Sequence, residues 1–485
     1  MIEALLLVPL FTALLCGLVR SERTIYVLSA AGSTVTALVA FPCCYQALSG
    51  PPLHRGPWYL DPLSALFVLV IVVITLLVSV YSVQYLQHDR REGEVNVKDL
   101  RYYHVLLHLF ALCMLLVVVV DSLGLMWIAV EGTTLISAFL VGFYKKGEAI
   151  EASWKYLIIC SVGITLALLG IVLLYASSMA ALGEGADTLD WSALRAVADQ
   201  LDPALVKVAF IFIVVGLGTK AGLAPMHTWL PDAHSQSPTP ISALLSAVLL
   251  NCAMYGVLRV HILAQAAVPG FSSSLLTFFG LLSVAIATAF LLTSRDLKRF
   301  LAFSSVEHMG IIALGFGIGG PLAVLGALFH VVAHSLTKTL MFFGAGNVIQ
   351  RYRTREMREI KGVGRTMPAT ASLLVLGGAA IAGSPPFAIF IGELLITAGA
   401  LASGEYLVAG LFIALMAIIF AAMTYRVLGM VSGRPQEGVP AGELGTLRLM
   451  PMLVLAAAII VLGVLLPSAL GDALGSVAEL FEVII

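Results

Sequence analysis

Three side chains able to carry charge, His330, His334 and Lys338, recur at steps of four residues in the otherwise apolar stretch FHVVAHSLTKTLMFF, residues 329–343. On a helix, steps of four drift by only about 40°, so the three form one stripe along a single face. No acid sits among them. Other ionisable groups are embedded in apolar sequence in the same way. Glu131 lies in MWIAVEGTTLISAF, Glu307 and His308 in SSVEHMG, and Glu393 in SPPFAIFIGE. Lys220 opens TKAGLAPMHTWLPDAHSQSPTP, which also holds His227, Asp232 and His234, and Lys155 lies in SWKYLIIC. The chemistry open to such a set is proton handling. Imidazoles change charge near neutral pH and suit relay steps. A buried lysine with a carboxylate in reach can hold or release a proton as the pairing changes. Plainer readings stand beside this one: a static Glu131–Lys220 ion pair, histidines bonded to backbone carbonyls, or a metal on His330 and His334. The last lacks an H-E-x-x-H motif and a nearby Cys or Asp to complete a site.

The elements that must position these groups follow from composition. Of 485 residues, 60% are hydrophobic and 11% charged, against about 25% charged in soluble domains, which points to a membrane protein. A net charge of -1 argues against a nucleic-acid partner. Six cysteines, Cys16, Cys43, Cys44, Cys113, Cys160 and Cys252, are scattered without a C-x-x-C pair. They suit inert buried thiols, with no cluster or structural zinc expected on this chain. In a membrane each central charge costs at least about 2.5–3.5 kcal/mol on insertion scales, so each marks a function or a partner.

Long apolar runs predict about fourteen spans, near 3–19, 25–47, 62–85, 104–120, 122–143, 154–177, 205–233, 238–262, 273–293, 300–319, 321–349, 369–402, 405–430 and 449–468. The first, lacking a basic leader region and containing Glu3, reads as a retained span. The seventh breaks around Gly222 and Pro225, the twelfth around Gly383, Pro385 and Pro386. With the N-terminus outside, the inner loops collect Arg20 and Arg23, then Arg90, Arg91, Lys98 and Arg101, then Lys145 and Lys146. They also hold Arg295, Lys298 and Arg299, and the basic run from Arg351 to Arg365. Outer loops keep Arg55 and Arg195 beside the acids Glu184, Asp187, Asp190, Asp199 and Asp202. The positive-inside rule holds throughout only if each broken segment crosses once, which puts both termini outside. Glu131 and Glu307, Lys155 and His330, Lys220 and Glu393, and Asn251 and Arg426 are each 173 to 176 residues apart. An offset of five spans, an odd number, predicts two repeats of opposite topology.

With these motifs in hand, the chain resembles the antiporter-like, proton-translocating membrane subunits of respiratory complex I, Mrp-type antiporters and membrane-bound hydrogenases. The likeness runs over roughly 104–430 and is closest to the hydrogenase-4 component F type. It implies an all-α integral membrane protein of about fourteen helices, with two inverted five-helix repeats and discontinuous helices 7 and 12. The corresponding units are 1–103 (helices 1–3), 104–262 (helices 4–8), 263–430 (helices 9–13) and 431–485 (helix 14 and tail). Position by position, Glu131 matches the family's fifth-helix glutamate, Lys220 the broken-helix lysine, Glu393 the twelfth-helix acid, and His330, His334 and Lys338 the eleventh-helix relay. Asn251 departs from the pattern: it stands where many relatives have a lysine or histidine, and an amide cannot bind a proton at neutral pH.

The function implied is proton pumping within a multisubunit redox complex, hydrogenase-like or NADH:quinone oxidoreductase-like, through Glu131, Lys220, Asn251, His330, His334, Lys338 and Glu393. Lys155, His227, Asp232, His234, Glu307 and His308 are secondary candidates. The chain itself would be a non-catalytic, ion-translocating part of an oxidoreductase and would bind no cofactor. Iron–sulfur clusters, nickel–iron or flavin are expected only in partner subunits. Expected partners are other membrane subunits, a peripheral redox arm reached through them, the lipid of the inner (plasma) membrane, and protons or Na+. The rival readings are an Mrp-type Na+/H+ antiporter subunit and a scaffold that has lost its channel.

Overall fold

Inside a hydrocarbon layer a backbone satisfies its own polar groups only as helix or closed barrel, and this chain is helical almost throughout. The computed structural model describes residues 2–183 and 188–482; Glu184 and Asp187 of the acidic loop lie outside them. Twelve helices are long and apolar enough to cross a membrane. Adding the shorter apolar Ile2–Leu18 and the two-piece helix Pro368–Ile381 with Ala388–Ala402 gives the first and twelfth of fourteen crossings among the described residues. The second to sixth are Glu22–Ser49, Pro62–Arg91, Val97–Val119, Leu123–Val141 and Gly147–Leu182. The seventh is Pro203–Ala221 followed by Leu230–Gln236, and the eighth runs through Thr239–Ala267. Phe271–Thr293, Leu297–Ile318, Gly320–Tyr352, Tyr406–Val431 and Thr446–Val464 are the ninth, tenth, eleventh, thirteenth and fourteenth.

Both breaks fall where expected. Gly222 and Gly383 take φ of 79° and 73°, a left-handed turn that a residue without Cβ adopts freely. The prolines that follow cannot donate to a helical ladder. Backbone groups freed at the first break find partners: Trp229 Nε1 donates to the Thr219 carbonyl (2.8 Å), and the Ala224 N–H donates to Ser283 Oγ (2.9 Å).

Four features were not anticipated. The eighth span contains a π turn, Leu245–Leu249, between its two α-helical parts. A hairpin, Leu53–Arg55 with Trp58–Leu60, joins the second and third spans, and a short helix, Trp191–Ala196, lies before the seventh. The tail is an amphipathic helix, Ser468–Glu482, with Leu474, Val477 and Phe481 buried.

The hairpin end of the bundle is tied by one buried ion pair. Asp61 caps the third span, accepting from Ser64 N–H (2.9 Å), and takes both guanidinium nitrogens of Arg259 at 2.6 Å. Arg259 also lies over the rings of Trp191 (4.2 Å) and Tyr255 (4.8 Å). Burial pushes the Asp61 carboxyl up, but the adjacent guanidinium outweighs this and holds it below the usual carboxylate range.

The eighth and tenth spans are enclosed on nearly all sides, while the thirteenth and fourteenth face outward. Each broken helix meets the span before it through small residues. A Cβ on Gly216 would lie 2.5 Å from Gly163 O and Ala167 N, and one on Gly326 would lie 2.9 Å from Gly392 O and Ile396 N. Backbone cannot yield there as a side chain can. Gly216→Leu or Gly326→Leu is therefore expected to destabilise the detergent-solubilised protein by about 1–3 kcal/mol or more. Gly410→Leu, in open space, should change little, and thermal unfolding of the three variants checks the contrast.

Candidate functional site

Lys220 lies at the end of the first piece of the seventh span and is fully buried. It forms no ion pair with Glu131. Its ammonium donates to Tyr156 OH (2.5 Å) and Thr134 Oγ1 (2.8 Å), and it lies 4.7 Å from the Tyr156 ring centroid. Tyr156 in turn shares a hydrogen bond with Ser137 (2.6 Å) and packs on Trp229 (4.6 Å between rings). Glu131 is only half-buried and accepts from Ser161 Oγ (2.7 Å), leaving Oε2 without a partner. The two candidates thus act on each other through the field alone, and the static ion pair is not what the structure contains.

Also within the electrostatic reach of Lys220 is Cys252, the neighbour of Asn251. The π turn ahead of Asn251 releases backbone carbonyls, as such turns do. The Ala247 carbonyl accepts from both Asn251 Nδ2 (2.9 Å) and Ser335 Oγ (2.8 Å), and Asn251 also donates to Ser335 Oγ (2.9 Å). The amide oxygen Oδ1 is buried and unpartnered. Asn251 therefore bridges the eighth span to the eleventh one residue past His334.

The histidine stripe gathers a third member from the tenth span. His308 Nδ1 and His330 Nε2 are 3.0 Å apart, and the rings of His308 and His334 are 5.3 Å apart. All three are fully buried, and His330 Nδ1 and both nitrogens of His334 have no hydrogen-bond partner. Among the described residues no group of three or more His, Cys, Asp or Glu is placed to hold a metal. His330 lies against Gly392, next to Glu393, which is 8% exposed and has Oε1 unpartnered. His308 lies beside Ile381 at the end of the first half of the twelfth span, so the second break closes this end of the cluster.

Lys338 donates to the Leu301 carbonyl (2.9 Å). The acid whose field reaches it is Glu307, fully buried with neither oxygen hydrogen-bonded. Glu307, only a secondary candidate by sequence, is thus the acid coupled to Lys338, and Glu393 is coupled to Glu307 instead. His234 is buried, stacked on Phe342 at 5.3 Å, and feels both Lys338 and Lys298. Lys298, assigned by sequence to an inner loop, is buried in the first turn of the tenth span and donates to the Ser237 carbonyl. With Asp89 it lines a cavity of 600 Å³ at the arginine-rich end of the bundle, together with Tyr85, Tyr144 and Arg355. Asp89 accepts from Tyr144 OH and Gln350 Nε2, both at 2.5 Å.

Three secondary candidates stand apart. Lys155, half exposed, pairs with Glu151 (2.6 Å) and with Asp232 (3.5 Å), which also binds Arg299. That is a surface ion network. His227 sits among aromatics, 6.1 Å from Phe290 and 6.2 Å from Phe303. The residues missed by sequence are Tyr156, Ser335, Lys298 and Asp89. The last two lie near the ends of apolar runs beside further charges, where they read as loop.

A family profile described as NADH:quinone oxidoreductase/Mrp antiporter, transmembrane, matches residues 120–420, and one described as NADH-ubiquinone oxidoreductase (complex I), chain 5 N-terminus, matches 57–93. The chain is 40% identical over 383 residues to a hydrogenase-4 component F homolog of Methylacidiphilum infernorum, covering 79% of this chain and 80% of the relative. It is 32% identical over 347 residues to hydrogenase-4 component B of Escherichia coli, covering 69% of this chain and 49%, about half, of that relative. Among solved structures it is similar to a chain of the membrane-bound sulfane sulfur reductase, an archaeal respiratory membrane complex. The TM-score there is 0.88 at 26% identity, covering 100% of this chain and 99% of the other.

The two neutral oxygens that hold Lys220 can be tested without reference to activity. Tyr156→Phe and Thr134→Val should each cost about 1.5–3 kcal/mol of stability, as expected for hydrogen bonds to a charged group. Combined, they should cost more than their sum, because the second change removes the remaining acceptor. Denaturant unfolding of the four proteins of the cycle gives the coupling directly.

Proposed function

The chain belongs to the membrane-subunit family shared by NADH:quinone oxidoreductases and Mrp antiporters, and from that premise we propose that it pumps protons along its buried polar residues. In this reading it is one subunit of a multisubunit respiratory complex driven by redox chemistry in its partners. The observation that carries the proposal is the run of fully buried ionisable groups, Lys220, His334, His308, His330, Glu307 and Lys338, through the middle of an otherwise apolar bundle. Groups so costly to bury are kept where they move charge.

Each residue then has a task. Glu131, half-buried and held by one hydroxyl, receives the signal from the neighbouring subunit as a change in field. Lys220, held by neutral oxygens, answers by passing its proton toward the eighth span. Asn251 cannot store that proton, so with Ser335 it orients a hydrogen-bonded relay to His334. His308 and His330 carry it on to Glu393, and Glu307 with Lys338 sets the charge along the way. The cavity lined by Lys298 and Asp89 serves as the inner mouth, joined to the stripe through His234.

The finer assignments belong to the same reading. Residues 104–262 and 263–430 are the two inverted repeats, flanked by 1–103 and 431–485. Both termini lie outside the plasma membrane and the arginine-rich loops inside. Clusters, nickel–iron or flavin reside in a peripheral arm, and the similarity to hydrogenase-4 components favours a hydrogenase-type complex. The ion carried is H+ and not Na+.

In vesicles containing the whole complex and fed its electron donor, Lys220→Ala should reduce proton uptake at least tenfold while the complex still assembles. Lys155→Ala, in the surface network, should pump like wild type. Sodium-free buffer should change neither result. Wild-type stoichiometry in Lys220→Ala would overturn the proposed path, and a strict need for sodium would favour an ion-gradient antiporter.

A further inference from the structure

At the arginine-rich end of the bundle, between the start of the second span and the end of the third, the surface opens into a groove of 760 Å³. Its size falls within the range of about 300–1,000 Å³ usual for small-molecule sites. The groove lies outside residues 104–430 and is lined by none of the candidate proton-path residues. Its rim carries Arg23, Arg90 and Arg91. Arg90 is paired with Glu22, so these two charges cancel. Arg23 and Arg91 are exposed and have no ion pair among the described residues, which leaves two positive charges facing the groove.

The inner wall adds a second, independent feature. Tyr26 lines the groove and is 5% exposed, and its hydroxyl is buried with no hydrogen-bond partner. Beyond the arginines and Gln87 the lining includes two valines. Val83 and Val27, the latter 60% exposed, continue the groove along the membrane-facing sides of the two spans.

We propose that this groove binds an anionic phospholipid. The phosphodiester would lie between Arg23 and Arg91, and the acyl chains would follow Val27 and Val83 into the bilayer. Guanidinium groups suit phosphate oxygens in both charge and geometry. Basic pockets between spans on the positively charged side of a membrane protein are where anionic headgroups are drawn. A soluble phosphate would satisfy the arginines but would leave the valine-lined extension unexplained. The inference holds whether or not the buried axis carries protons.

The test uses the intact complex in detergent, titrated with phosphatidylglycerol or phosphatidylcholine and read by native mass spectrometry. Arg23→Gln combined with Arg91→Gln should weaken phosphatidylglycerol binding about 20- to 30-fold, from a contribution of roughly fivefold per basic residue at a membrane surface. Phosphatidylcholine binding should not change. Arg55→Gln at the opposite end of the bundle should have no effect. Equal phosphatidylglycerol affinity in wild type and the double variant would overturn the proposal. So would displacement of the lipid by millimolar inorganic phosphate, which would mark a soluble-anion site. Absence of lipid binding to the wild-type complex, with a partner subunit crosslinking to position 23, would show a protein occupant instead.

Discussion

The three buried lysines all donate to neutral oxygens: Lys220 to Tyr156 and Thr134, Lys338 to the Leu301 carbonyl, and Lys298 to the Ser237 carbonyl. Arg259, equally buried, is met by the Asp61 carboxylate with two short bonds. Breaking a buried ion pair leaves an uncompensated charge and costs about 3–5 kcal/mol, so the arginine is a fastening. A hydroxyl or carbonyl satisfies an ammonium without binding it to a fixed counter-charge. The acids act on the lysines from a distance, Glu131 on Lys220 and Glu307 on Lys338. A group held in this way can change its protonation without the bundle coming apart.

The rest of the architecture supplies those oxygens. A carbonyl whose helical donor is lost where the ladder is interrupted is freest for a side chain, although the second lone pair of Leu301 accepts from Lys338 inside an unbroken span. The break at Gly222 puts Thr219 and Trp229 beside Tyr156, and the π turn gives the Ala247 carbonyl to Asn251 and Ser335. Small residues let each broken helix lie against its predecessor. The central eighth and tenth spans are sheltered from lipid on nearly every side, so their polar groups meet protein and not hydrocarbon.

Much of this was legible in the sequence because membrane physics writes in long runs. Apolar length gave the crossings, Gly222–Pro225 and Gly383–Pro386 gave the breaks, and isolated charges in those runs gave most of the buried residues. Partners were harder to read. Tyr156 in an apolar helix looks like any interfacial aromatic, and nothing local says that its hydroxyl meets a lysine 64 residues away. Depth along a span also does not tell which face a residue takes. Lys155 reads as intramembrane from its place in the run but lies on the exposed face of the bundle among ions, whereas Lys298, at a span's edge, turns inward. The terminal helix Ser468–Glu482 was missed because Gly471, Asp472 and Gly475 interrupt its apolar run. Only its one-sided burial, with Leu474, Val477 and Phe481 inward, reveals the amphipathic pattern.

The π turn at Leu245–Leu249 also fixes a phase. Widening one turn of a helix by a residue rotates everything beyond it by about 100° relative to an unbroken α-helix. Asn251, Tyr255 and Arg259 follow at steps of four and share a face, bonded in turn to Ser335, Ser64 and Asp61. That face points at the eleventh and third spans only because the extra residue precedes it. Deleting one residue from 245–249 would keep every side chain beyond it and turn them all toward the wrong neighbours, so the eighth span works as an index whose zero is set by a single inserted residue.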